Sequence, residues 1–140
     1  MKGNENLLVV LNQLLADEVT AISQYMVHSE MCESWGFGKL HKAIEGQAMD
    51  EMHHAEWLIQ RILFLDGVPI VSKLNPINIG ATVVEIITGD QEAELSAVRA
   101  YNDAIGFLIH NSNVVIFMRL LLRRPEPPVT LCVGHCEREG

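Results

Sequence analysis

Apolar residues recur along this chain at alternating steps of four and three. The first such stretch runs Leu11, Leu15, Glu18, Ile22, Tyr25, Ser29, Cys32. The second runs Leu40, Ile44, Gln47, Glu51, His54, Leu58, Ile62, Leu65, and the third Val84, Ile87, Gln91, Glu94, Val98, Tyr101, Ile105, Leu108. This is the stripe of a packed helix, and strand alternation is absent from all three stretches. The pattern predicts helices over residues 5–34, 39–65 and 82–109. Gly36 and Gly38 leave room only for a short turn between the first two, which predicts an antiparallel hairpin. Asp66-Gly67-Val68-Pro69 stops the second, because proline cannot continue the ladder and glycine tolerates a left-handed cap. The stretch from Ile70 to Gly80, with Pro76 and two asparagines, predicts a long crossover. Thr82 and Glu85 stand in capping-box spacing at the start of the third helix. Two long helices, a crossover and a further long helix predict an all-α fold, a four-helix bundle with one long connection.

Past Phe107 the periodicity breaks. His110-Asn111-Ser112-Asn113 interrupts it, Val114 to Met118 is continuously apolar, and Pro125, Pro127 and Pro128 exclude a helix interior. The run from Val114 to Arg124 has room for a short helix and not for a long fourth one. The pattern thus divides the chain into a three-helix unit over 1–110 and an atypical tail over 111–140.

Composition narrows the class. A length of 140 residues corresponds to one domain, large enough to bury a self-sufficient core. With 49% hydrophobic and 20% charged residues the chain is an ordinary globular one. A net charge of -8 disfavours a nucleic-acid partner and suits a protein that handles cations. Neither a secretory leader nor a run long enough to span a bilayer is visible, so a soluble cytoplasmic protein is expected. Three cysteines at no framework spacing predict no disulfide scaffold.

The informative residues are the polar ones inside the stripes: Glu18, Glu51, His54 and Glu94. A buried, isolated carboxylate costs several kcal/mol. Three glutamates and a histidine near the middles of three helices are therefore expected to converge on a cation. Carboxylate with imidazole favours iron, manganese or zinc. Glu51-Met52-His53-His54 supplies Glu-x-x-His, which puts carboxylate and imidazole on one face. Tyr25 and Tyr101 each follow a stripe glutamate by two turns and are expected to be core tyrosines bonded to a carboxylate. Met52 points away from the Glu51-His54 stripe and, with Ala48, Ala55 and Ile59, marks a second apolar seam. By spacing alone it reads as interface filler. His28, His41, His53 and His110 are expected at or near the surface without ligand roles. Cys132, His135 and Cys136 lack the second pair a structural zinc site needs.

These residues bring out a family resemblance. Met1-Lys2-Gly3, Leu14-Leu15 with Glu18, and Gln24-Tyr25 with His28 resemble the first helix of bacterioferritin, the haem-containing ferritin. Asp50 to Ala55 and Arg61 to Gly67 are similar to its second helix, Asn78-Ile79-Gly80 to its crossover, and Asp90, Glu94 and Ala104-Ile105-Gly106 to its third. The likeness runs from Met1 to about Phe107. It implies a ferritin-like four-helix bundle whose subunits form a shell around ferric mineral. It also implies a di-iron ferroxidase centre that oxidises Fe(II) with oxygen or peroxide. Glu18 and His54 would bind the first iron, Glu51 would bridge, and Glu94 would bind the second. Met52 matches the methionine that ligates haem b with its mate across a two-fold dimer, and a ferredoxin-type reductant is the implied partner.

The departure is the fourth helix, which in the family supplies a second Glu-x-x-His. Here Pro127-Pro128-Val129-Thr130 stands in its place. A change of reading frame after Phe107 and natural divergence both fit that loss. The reading is therefore an iron-storage ferroxidase with an incomplete second iron site. Its alternatives are a haem b-binding dimer without ferroxidase activity and a rubrerythrin-like di-iron peroxidase.

Overall fold

A computed structural model describes residues 5–110. Among these, the chain forms three helices and no strand: α1 (Glu5–Ser34), α2 (Gly38–Phe64) and α3 (Val83–His110). They coincide with the sequence expectation to within one residue at each end. The short helix allowed over Val114 to Arg124 and the atypical tail fall on 111–140, outside the described residues.

Each helix ends for a reason visible in its last turn. At the end of α1, Phe37 N–H donates to Cys32 O (2.9 Å) and Gly36 N–H to Glu33 O (3.0 Å), with Gly36 left-handed at φ 82°. This Schellman arrangement satisfies the orphan carbonyls and turns the chain directly into α2. The same pair of bonds closes α2, from Gly67 N–H to Ile62 O and from Asp66 N–H to Leu63 O. Here the left-handed residue is Asp66 (φ 58°) and not the expected glycine. Gly67 is required for space: a Cβ there would come within 2.5 Å of Leu8 Cδ2 and 3.0 Å of Ile62 Cγ2. At the start of α3, Glu85 N–H donates to Thr82 Oγ1 (3.3 Å), and the Glu85 carboxylate takes the Ala81 N–H (2.8 Å). The predicted capping box is present, with its return bond one residue earlier than usual.

The α1–α2 hairpin is the main packing unit. Its core falls into two apolar clusters. One contains Leu7, Leu11, Leu15, Leu58 and Ile62; the other contains Tyr25, Cys32, Leu40, Ile44 and Ile86. On α1 and α2 the predicted stripes are the buried ones. On α3 they are so only in part: Ile87, Tyr101 and Ile105 pack against the clusters, but Val84 is 70% exposed and Gln91 and Val98 also face solvent, while Ile86, Asp90 and Ala104 are buried. The inward face of α3 is narrow because, of the other helices described, it packs mainly on α1. The second seam predicted on α2 also divides. Ala48 and Ala55 turn inward into the two clusters, and Met52 turns outward.

The crossover between α2 and α3 has no regular structure, yet its path is specified. Four polar side chains of α1 accept hydrogen bonds from its backbone. Asn12 accepts from Ile70 N–H (2.8 Å), Thr20 Oγ1 from Asn75 N–H (2.9 Å), Gln24 Oε1 from Asn78 N–H (3.2 Å) and His28 Nε2 from Gly80 N–H (3.2 Å). Asp17 holds the Asn75 amide and Gln13 the Lys73 ammonium. These bonds satisfy backbone donors that no helix or sheet satisfies. Gly80 also lies against the first turn of α3, where a Cβ would meet Ile86 N at 2.5 Å. Cys32 is buried in the second cluster, and no described helix is long and apolar enough to cross a membrane.

Candidate metal centre

Between the two apolar clusters lies a polar layer. Glu18 projects into it from the middle of α1, and Glu51 and His54 from the middle of α2. One ligating atom from each of the three lies within 4.8 Å of the others. Glu18 and Glu51 are buried and His54 is half-buried. The Glu51-x-x-His54 spacing gives them one face of α2, and His54 Nδ1 donates to Glu51 Oε2 at 2.5 Å. Glu18 Oε2 lies 3.8 Å from the same nitrogen. Trp57, one turn along α2, tilts its ring against His54 with centroids 5.7 Å apart.

The layer continues toward α3. Tyr101 donates to Glu18 Oε1, and Tyr25 donates to Glu94 Oε1 at 2.8 Å. The expectation that both tyrosines bond carboxylates holds, each finding the glutamate of the opposite helix. Glu94 is not among the three residues gathered within 4.8 Å; it joins the layer through its bond from Tyr25. A further step along, the buried Asp90 Oδ1 accepts from Gln24 Nε2 (2.9 Å) and from His28 Nδ1 (2.8 Å). Because His28 Nε2 accepts from Gly80 N–H, its proton sits on Nδ1. His28 is fully buried, deeper than the surface or partly buried position expected from sequence. The missed signal was its place one turn past Gln24 and three residues past Tyr25, beside the stripe. Every fully buried polar side-chain atom among the described residues has a hydrogen-bond partner.

Charge in the layer is unevenly held. Burial works to raise Glu18, but bonds from His54, Glu51 and Tyr101 outweigh it and hold the carboxyl below its ordinary range. Glu51 is raised, by burial first and by the neighbouring Glu18 carboxylate, against the His54 bond. His54 is pushed up to about 9, because both glutamates favour the imidazolium over the cost of burial. Tyr25 is raised by burial and then by Glu94, so it keeps its proton as a donor. Burial also raises Asp90, against the bonds from Gln24 and His28. Without a cation the layer therefore favours the carboxylate at Glu18 and the imidazolium at His54, while Glu51 holds a proton more readily than an ordinary glutamate. A divalent metal ion would take the place of the His54 proton and meet two oxygens and one nitrogen, the donor set suited to iron, manganese or zinc.

The family model of the ferritin-like domain matches residues 9–113. Bacterioferritin of Rhodobacter capsulatus is 38% identical over 82% of this chain and 71% of its own length. The bacterial ferritin of Paramagnetospirillum magnetotacticum is 42% identical over 75% of this chain and 64% of its own. The chain belongs to the bacterioferritin family. Its backbone agrees: a solved structure of Rhodobacter capsulatus bacterioferritin, with a metal-free dinuclear site and haem iron, superposes with a TM-score of 0.81 at 36% identity. That match covers 86% of this chain and 74% of the other. The chain thus spans about two-thirds of the length of these bacterioferritins. Met52, the sequence candidate for haem, lies on the outer face of α2, 46% exposed, with Met49 also exposed one turn before it.

Proposed function

We propose that this chain is an iron-storage subunit that oxidises Fe(II) at a centre founded on Glu18, Glu51 and His54. The observation that carries this reading is the buried gathering of those three side chains from two helices. They lie between two apolar clusters. Fe(II) enters as substrate and displaces the proton of His54. Carboxylate oxygens are hard donors, so they favour the ferric state and lower the cost of giving up an electron. Oxygen or peroxide accepts the electrons. Glu94 is the terminal carboxylate of a second iron, for which Glu51 is the bridge. Because the rest of a second Glu-x-x-His is missing from the sequence, the second iron is held weakly.

Residues 1–110 are the ferritin-like unit in this reading and 111–140 an atypical tail. The family match ending at residue 113 supports the division. Met52 has the donor chemistry and the exposure to ligate haem b, which as a cofactor supplies electron transfer. Sharing that haem makes two copies a two-fold dimer, the building block of a shell, with a ferredoxin-type protein as reductant.

Anaerobic titration of the native protein with Co(II), followed by stopped-flow oxidation of Fe(II), tests this. One tight metal per chain and a weaker second are expected, with His54→Ala removing the tight one and the fast oxidation. Native protein that binds no divalent metal, or a His54→Ala variant that binds as tightly as native, would end the reading.

A further inference from the structure

The seam between α1 and α3 is reciprocal. On each helix a glutamate is followed by a tyrosine seven residues later: Glu18 and Tyr25 on α1, Glu94 and Tyr101 on α3. Seven residues is close to two full turns, so each pair shares a face. The helices run antiparallel, and each tyrosine meets the other helix's glutamate. Tyr101 donates to Glu18 Oε1, and Tyr25 donates to Glu94 Oε1. A phenol therefore engages one oxygen of each carboxylate. The other oxygen of Glu18, Oε2, is the one directed at His54.

We propose that Tyr101 is a positioning residue that restricts Glu18 to a single metal-facing oxygen, with Tyr25 doing the same for Glu94. The inference rests on reading Glu18, Glu51 and His54 as a metal centre. A carboxylate can chelate a cation through both oxygens or bind through one, and the choice sets how many positions remain for other ligands. Glu18 alone could swing between these modes. With Oε1 engaged by the Tyr101 hydroxyl, Oε2 is the oxygen directed at His54. Outer hydrogen bonds of this kind orient ligands and tune the metal they bind. The Tyr101 ring is fixed in turn, packed against the cluster that holds Leu11, Leu15 and Ala104. Because the bond crosses between helices, it also places α3, and with it Glu94, relative to the α1–α2 hairpin.

The test is Co(II) titration of full-length native protein and of Tyr101→Phe, which removes one oxygen and keeps the packed ring. Co(II) visible bands weaken as coordination number rises, so a Glu18 freed to chelate alters the spectrum. The expected result is a changed spectrum with about ten- to hundredfold weaker Co(II) binding, while thermal melting of the metal-free variant stays close to native. Identical spectra and affinities would overturn the proposal and leave the bond a structural seam. No Co(II) binding by native protein would overturn the metal centre itself, a different failure. A measurement on native protein covers the case in which the variant does not fold. The chain has two tyrosines, so 3-fluorotyrosine labelling yields two fluorine resonances, assigned through Tyr25→Phe. Saturation with Zn(II) should shift the Tyr101 resonance, and an unmoved resonance would overturn the proposal.

Discussion

The two seams of α1 are built on different principles. Toward α2 it packs in two apolar clusters, with leucines in one and Tyr25 and Cys32 in the other, interrupted by the layer of Glu18, Glu51 and His54. Toward α3 it presents Glu18, Gln24, Tyr25 and His28, each bonded to a named atom on the other side. Apolar burial scales with area and is indifferent to direction. It holds the hairpin firmly and accepts approximate shapes. Hydrogen bonds add little net free energy, but leaving a buried partner unmade is costly. The α1–α3 seam therefore specifies where α3 sits more than how tightly. A metal centre needs both: a rigid pair of helices to bear ligands, and a third helix set at a defined height.

The largest effect should come from emptying the apolar seam. Leu58 is fully buried, and Leu58→Ala should cost about 2–5 kcal/mol in denaturant unfolding, while Leu58→Met, which keeps the volume, should cost less than about 1.5. Equal costs would mean that the hairpin is not packed as described. Asp90→Ala should come next, at about 1–3 kcal/mol, because it leaves buried donors of Gln24 and His28 without an acceptor. Hydrogen exchange should quicken first in the 75–80 crossover and the start of α3, not in the hairpin. Uniform loss of protection would erase the distinction between the seams.

The smallest effect is that of pH on the metal-free protein, since His54 is partly exposed and shares its charge with two glutamates. Folding raises His54 from 6.5 to about 9, so the folded state holds that proton more tightly than the unfolded chain. The stabilisation is complete below about 6.5 and disappears as pH rises through about 9. Melting temperature should fall across that interval, and saturating Zn(II) should flatten the fall, because a metal-bound imidazole carries no such proton. A flat profile without metal would remove His54 from the polar layer.

Helix boundaries, the hairpin, the crossover and the three-residue group were legible in the sequence because each leaves a local mark. Stripes at steps of three and four mark the helices, and Gly36 and Pro69 mark the stops. Carboxylates and an imidazole inside apolar stripes mark the centre. The rotation of α3 left no such mark. Val84, Gln91 and Val98 continue a plausible stripe, and only the position of α1 decides that Ile86, Asp90 and Ala104 face inward.

What the sequence determined alone, then, was what one helix or one turn can encode: periodicity, caps, and the Glu51-x-x-His54 face. Tertiary structure decided the pairings that cross helices. No spacing announces that Tyr101 meets Glu18 rather than Glu94, or that His28 is buried between Asp90 and the backbone of Gly80. It likewise moved the left-handed conformation to Asp66, and it reserved Gly67 for the approach of Leu8. A side chain's local partners follow from the pitch of its own helix. Its distant ones depend on the height and rotation at which two helices meet, and those are set by every contact between them at once.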